Sequence, residues 1–337
     1  MRYGLSYKGS KNKLAEKIVI QLPKRKNFYD LFCGGCAVTH AALVSGKWEN
    51  YFINDIDPLM PELFYNSIHG KYHNEKRWIS REDFNRFKDT DGYIKSCWSF
   101  GNNGTDYLYS VEVEPWKKAL HYARVLNDFS LLKEMGIDTD DATRVWISKH
   151  HNEVKEKYIA WAIKHFEFTQ EEISLYKELE KKGTFDGLIW GSVGVYQLKK
   201  RLRSLERLQS LESLQRLQSL EMTCKDYRDV EIMPDSIIYC DIPYKDTDEY
   251  TSGAFDHDAF YKWCAQQKEL VVVSSYEMPE DFICINQIEH RQTLGMGKHG
   301  KKGNKVMEKL FIPKHQADLI SAHKQYKQLD LFEELSA

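Results

Sequence analysis

Asn27-Phe28-Tyr29-Asp30-Leu31-Phe32-Cys33-Gly34-Gly35-Cys36 decides the fold. Residues 27–32 are a short, largely apolar run, as a strand in a sheet interior requires. Two glycines close it where the backbone must turn tightly or approach a ligand. A small-residue helix is expected over Ala37–Val44, then a strand at Tyr51-Phe52-Ile53 that ends in Asn54-Asp55-Ile56-Asp57-Pro58. On the N-terminal side, Leu14–Leu22 reads as a helix stopped by Pro23. Strand, glycine turn, helix, strand is the unit of an open parallel sheet.

The same pattern returns late in the chain. Ile237-Ile238-Tyr239-Cys240 and Leu270-Val271-Val272-Val273 are continuous apolar runs, as strands buried on both faces require. A strand ending at Cys224-Lys225-Asp226-Tyr227 precedes them, and Glu308–Ile312 is the last one expected. Residues 60–191 differ in character. They hold six of the eight tryptophans and helical stretches such as Glu114–Leu126 and Glu153–Phe166. The expected organisation is therefore an α/β domain over 1–59 and 192–314, a mainly helical domain inserted at 60–191, and a mobile tail over 315–337.

With 48 Lys+Arg against 50 Asp+Glu the chain is close to neutral, which excludes a histone-like cationic binder but not a local basic groove. No apolar run reaches the ~20 residues of a membrane span, and the first residues lack the apolar core of a signal peptide. The seven cysteines, odd in number and irregularly spaced, read as reduced thiols in a soluble, cytoplasmic protein. Cys33, Cys36 and His40 fall short of a zinc site, so no metal is expected.

Arg201-Leu202-Arg203-Ser204-Leu205-Glu206 recurs almost unchanged at 207–212 and 216–221, with leucines every third residue from 202 to 220. On an α-helix such leucines spiral round all faces, and a coiled coil needs a period of 3.5. A duplicated connector, part helix and part strand entry, is the simpler expectation.

Asp55 ends the strand beside the glycine turn and is placed to accept hydrogen bonds from ribose hydroxyls. NAD and S-adenosylmethionine enzymes share this arrangement. The full G-x-G-x-x-G is missing, which favours a single adenosyl group over a dinucleotide. Asp241-Ile242-Pro243-Tyr244 then stands at a strand's carboxyl end, where open α/β sheets bind ligands. An exocyclic amine on adenine is a poor nucleophile because its lone pair is delocalised. A carboxylate at 241 and the backbone carbonyl at 242 can accept its N–H bonds, and the Tyr244 ring can stack on a base turned out of the duplex.

With these residues in place, the chain resembles the Dam-like DNA adenine-N6 methyltransferases, whose catalytic motif is Asp-Pro-Pro-Tyr. Tyr7-Lys8-Gly9-Ser10-Lys11 is similar to the family's first cofactor motif, Asp30–Gly35 to its glycine loop, Asn54–Asp57 to its ribose-binding acid, and Tyr239–Tyr244 to its catalytic strand end. The resemblance covers about residues 5–60 and 220–312 and implies an open, mostly parallel Rossmann-like methyltransferase sheet. It implies methyl transfer from S-adenosylmethionine to adenine N6 in double-stranded DNA, with 60–191 as the target-recognition domain. Tyr7, Lys11, Phe32, Gly34, Asp55 and Asp241 are the implied cofactor contacts, Lys11 pairing with the methionine carboxylate. Asp241, Ile242, Pro243 and Tyr244 are the implied catalytic set.

There are two departures from the family pattern. Cys36 stands where a further glycine is common, and Ile242 replaces the first proline, losing about 1 kcal/mol of pre-organisation. Cytosine-N4 methylation and a catalytically impaired DNA- or clamp-binding relative remain as alternatives.

For DNA, Lys298, Lys301, Lys302 and Lys305 form a glycine-rich basic loop suited to phosphates. Asn102 and Asn103 lie in a turn from which amides can pair with adenine edges, with Tyr107 and Tyr109 following as candidate wedges. Ser275–Pro279 follows a strand and is placed to wall the base pocket, and Asp226 is placed near the cofactor adenine. Gln328-Leu329-Asp330-Leu331-Phe332 resembles the pentapeptide by which bacterial DNA-acting proteins dock on the sliding clamp.

Overall fold

A computed structural model of the chain describes residues 3–5, 10–137, 164, 169–170, 174, 204–216, 219–244, 255–291 and 305–320. The chain divides into two compact units, Met1–His69 with Leu211–Ala337, and Gly70–Ser210.

The first unit is built on a seven-stranded sheet. Its strands are β1 (Asn27–Asp30), β2 (Asn50–Asn54), β3 (Ser219–Thr223), β4 (Ser236–Cys240), β5 (Leu270–Ser275), β6 (Phe282–Arg291) and β7 (Lys305–Pro313), in the order β3-β2-β1-β4-β5-β7-β6. The first five run parallel; β7 lies antiparallel between β5 and β6. Every residue of β1, β4 and β5 is buried, and this explains why their sequences are continuous rather than alternating. β3 sits at the edge and is only partly covered.

Helices α1 (Ala15–Gln21), α2 (Ala37–Ser45), α3 (Leu59–Ile68) and α8 (His257–Gln266) accompany the sheet. Asp256 caps α8 by accepting from the Ala259 N–H. Phe260, Trp263 and Cys264 on that helix pack with Ile238, Cys240, Val271 and Val273 into one apolar core.

In Gly70–Ser210 the described helices include α4 (Arg81–Phe87), α5 (Gly92–Cys97), α6 (Glu114–His121) and α7 (Ser130–Glu134). Ser80 and Asp91 cap the first two. Trp98, Tyr93, Phe84 and Leu120 are buried here, and Trp78 stacks on Tyr109 at 5.7 Å.

Three details differ from the sequence reading. β1 stops at Asp30, so Leu31 and Phe32 already belong to the turn. The helix expected over Glu114–Leu126 is α-helical only to His121, and Tyr122–Leu126 winds more loosely as a π-turn ending in a left-handed Asn127. β6 was not expected at all. The repeat finds its physical account here, because the stretch passes through three structures: its first two copies are helical where described, and the third runs into a strand. Residues 204–210 are α-helical, Leu211–Arg216 is a 3-10 helix, and Ser219–Thr223 is β3. A 3-10 helix has three residues per turn, so Leu211 and Leu214 fall on one face, and both are buried. The expected helix over Glu153–Phe166 lies outside the described residues, apart from residue 164. Among the described residues no helix is long and apolar enough to cross a membrane.

Candidate active site

In the sheet order β3-β2-β1-β4-β5, the chain leaves β1 towards one edge and β4 towards the other. Open α/β sheets form their ligand crevice at this reversal, outside the strands' carboxyl ends. A cavity of about 390 Å³ lies there, within the size range of small-molecule sites. The ends of β1, β2 and β4 contribute Asp30, Asp55 and Asp241 to its wall.

The turn after β1 shapes one side. Gly34 has φ 43°, and its N–H donates to Asp55 Oδ2 at 2.8 Å while the Asp57 N–H donates to Asp55 Oδ1 at 3.1 Å. Burial raises the Asp55 pKa and these N–H bonds oppose the rise. Each oxygen keeps a lone pair for a further donor.

The N-terminal segment braces this turn. Leu5 N–H donates to Gly35 O at 2.7 Å and Gly4 N–H to His40 Nδ1 at 3.0 Å. Gly4 has φ +64°, and a Cβ there would stand 2.5 Å from both Ala37 Cα and Gly35 O, so only glycine fits. Phe32 meets Phe255 and Phe260 edge-on at 5.6 and 5.7 Å, making an aromatic wall.

Asp30 is 1% exposed. Its Oδ2 accepts from the Thr39 hydroxyl at 2.6 Å, but its buried Oδ1 has no hydrogen-bond partner among the described residues. Burial drives its pKa to about 7; the Thr39 bond opposes this, and Asp241 and Asp55 add to it. A buried acceptor without a donor, beside two more carboxylates, suits a ligand carrying positive charge. The aromatic wall and Asp55 suit a nucleoside. These residues fit S-adenosylmethionine, whose sulfonium and ammonium are cationic and whose other half is adenosine.

The opposite side of the cavity is a polar network. Lys11 Nζ donates to Asp241 Oδ1 and to the Tyr244 hydroxyl, both at 2.6 Å, and lies 3.9 Å from Glu308 Oε1. Tyr244 in turn donates to Glu308 at 3.1 Å, and its ring stacks on Tyr276 at 4.6 Å and 20°. Burial alone would lower the Lys11 pKa, but Asp241 and Glu308 outweigh it and the net shift is upward. Burial raises Asp241, Lys11 opposes the rise and Glu308 adds to it. Tyr244 is held far above the usual phenol range by burial and the same two acids, so it stays a hydroxyl.

The Ile242 side chain is 3% exposed and belongs to the core beneath α8. Burying an isoleucine is worth ~1.5–3 kcal/mol, more than the stiffening lost with the proline. His257 braces the next residue, its Nε2 2.9 Å from Pro243 O and its Nδ1 3.0 Å from Phe255 O.

The family model for the D12 class N6 adenine-specific DNA methyltransferases matches residues 7–272. The chain belongs to this family. No curated protein matches it individually. The methyltransferase acts on adenine N6 in DNA, which decides between the adenine and cytosine-N4 readings, and its sheet is a Rossmann-like methyltransferase sheet.

Lys11, Phe32, Gly34, Asp55, Asp241, Ile242, Pro243 and Tyr244 of the methyltransferase all line the one cavity. Lys11 sits against the tetrapeptide Asp241–Tyr244, with both its short contacts there. Asp226 reaches the cavity wall, but its carboxylate is held by Arg228 at 2.6 and 2.8 Å. In the other unit, Asn102 Nδ2 donates to Ser96 O, and Asn103 Oδ1 accepts from the Thr105 and Asp106 N–H groups. Both amides close their own turn, and contact with a base edge would cost those bonds. Tyr107 and Tyr109 are buried, whereas Phe100 on the same turn is 54% exposed. Tyr7, Lys298, Lys301, Lys302 and Gln328–Phe332 lie outside the described residues. Lys305 opens β7, with its side chain also outside them.

Asp30, Gly4, His257 and Glu308 were missed as site residues. Asp30 had a signal, as an acid inside an apolar strand. Glu308 had the same signal, between Met307 and the apolar run Leu310-Phe311-Ile312.

Proposed function

We propose that the methyltransferase holds S-adenosylmethionine at Asp30, Phe32, Gly34 and Asp55, and a flipped-out adenine at Asp241, Ile242 and Tyr244. The observation that carries this reading is the single cavity joining the glycine turn to the catalytic tetrapeptide. S-adenosylmethionine supplies an electrophilic methyl group on a sulfonium. Asp241 and the Ile242 carbonyl accept the two N–H bonds of the adenine amine, drawing its nitrogen towards tetrahedral geometry and freeing the lone pair. The proton that nitrogen sheds passes to Asp241, whose raised pKa makes it a better acceptor than an exposed aspartate. Tyr244 stacks on the ring. Lys11 spends two of its three N–H groups on Asp241 and Tyr244, and the third serves the cofactor's carboxylate, with Tyr7 beside it.

Gly70–Ser210 is the counterpart of the insertion expected at 60–191, and we assign it target recognition in double-stranded DNA. Lys298, Lys301, Lys302 and Lys305 contact phosphates in this reading, and residues 328–332 dock on a sliding clamp. Methylation of plasmid DNA with labelled S-adenosylmethionine, followed by digestion to nucleosides and mass spectrometry, tests the site. Asp241→Ala should fold normally and yield no N6-methyladenine. Transfer by that variant would refute the assignment.

A further inference from the structure

Glu308 is 1% exposed on β7, which runs antiparallel to β5, and it lies beyond the residues matched by the family. Leu310 and Ile312, two and four residues on, share its face of the strand and are buried. A carboxylate in such a row carries a desolvation cost that a leucine would not. Its hydrogen bonds point at the base pocket. Ser274 Oγ donates to Oε1 at 2.7 Å, the Tyr244 hydroxyl donates at 3.1 Å, and Lys11 stands 3.9 Å away. Ser274 and Glu308 belong to neighbouring strands of a packed sheet, whereas Tyr244 follows the end of β4 in a loop. The rigid partner therefore orients the loop residue.

We propose that Glu308 is a positioning residue for methyl transfer, acting through the Tyr244 hydroxyl to hold in place the ring against which the adenine stacks. This rests on the base-pocket reading of Tyr244 given above. The Tyr244 hydroxyl accepts from Lys11 and donates to Glu308, so the far end of the side chain is held from two sides and the ring cannot swing out of the pocket without breaking these bonds.

The test is single-turnover methylation by the full chain carrying Glu308→Met, Tyr244→Phe or both, with thermal melting of each. Glu308→Met keeps the length of the side chain but removes the acceptor, and should lower kcat roughly 10- to 100-fold, as small misplacements of reacting groups do, with KM for S-adenosylmethionine changed less than about twofold. Tyr244→Phe should lose a similar factor, and the double variant no more than either single one, because both cut one link. Wild-type kcat in Glu308→Met, or losses that multiply in the double variant, would overturn the proposal. If Glu308→Met melts below the assay temperature, Tyr244→Phe decides alone, a loss supporting the link and full kcat removing it. Tyr244→Ala separates the two readings. If it keeps full activity, the base pocket itself is wrong; if it is inactive while Glu308→Met is fully active, only the role of Glu308 falls.

Discussion

Lys11 Nζ lies 2.6 Å from Asp241 Oδ1 across 230 residues of sequence. In the function proposed above, the contact joins the cofactor motif to the catalytic one and gives Asp241 an N–H donor where the adenine amine is to donate. Tyr276, stacked on Tyr244, likewise supplies a ring where the base is to stack. The chain thus makes for itself both kinds of contact that the proposed reading gives to the adenine.

Asp241 must be ionised to accept the amine's N–H bonds, and its pKa is raised to about 6 by burial, with Lys11 opposing and Glu308 adding. The kcat/KM of the wild type should therefore fall as pH drops through about 6, well above the ordinary aspartate range. Lys11→Met removes the opposing cation, so the acid limb should move to higher pH. A pH–rate profile checks it, and an unmoved or lowered limb contradicts the role given to Lys11.

Asp30 has a folded pKa of about 7, against an ordinary value near 4 when unfolded. The folded state binds this proton more tightly, so the contribution to stability is whole below the unfolded value and is lost as pH rises through about 7. Asp30→Asn does not titrate. Relative to wild type it should gain stability between pH 4 and 8, on the order of a few kcal/mol, read from urea unfolding across that range. A constant difference between the two proteins would contradict the buried, proton-binding state of Asp30.

A methyl on Gly4 would collide with the backbone at Gly35 and Ala37. Gly4→Ala should shift the N-terminal segment off the glycine turn at a cost of ~1–3 kcal/mol. Calorimetric titration should show S-adenosylmethionine bound about tenfold or more weakly, while KM for DNA stays near wild type. Unchanged cofactor affinity would mean the segment does not brace the turn.

Ile242 holds the catalytic turn through the core rather than by a stiff ring. Ile242→Ala should cost about 2–5 kcal/mol of stability and Ile242→Val no more than about 1.5. Because the same burial positions the carbonyl at 242, kcat should fall in the same order. If Ile242→Ala is as stable as wild type, burial is not what replaces the proline.

Much of the catalytic unit was legible in sequence because local chemistry wrote it. Glycines mark the turn after β1, continuous apolar runs mark β4 and β5, and an acid follows each of β2 and β4. β6 was missed because Phe282-Ile283-Cys284-Ile285 has no clean alternation and its pairing to β7 carries a bulge at Cys284/Asn286. Tertiary context also overrides local sequence in the leucine repeat, where the copy at 207–212 is helical and the near-identical one at 216–221 enters β3. The Asn102–Asn103 turn was ambiguous for the reason that turns and base edges are satisfied by the same amide. Glu308 could not be placed from sequence, since its partners Ser274 and Tyr244 meet it only once β5 and β7 have paired.

That pairing has a consequence for the order in which the protein is made. Lys11 precedes β1 and Glu308 sits on β7, so the pocket draws on segments before the first and on the last of the described strands. A nascent chain complete to Val273 already carries the glycine turn and Asp241–Tyr244, yet lacks the strand that covers β5 and anchors Tyr244. On the proposed role of Glu308, a product truncated before β7 should carry the family's motifs but not its activity.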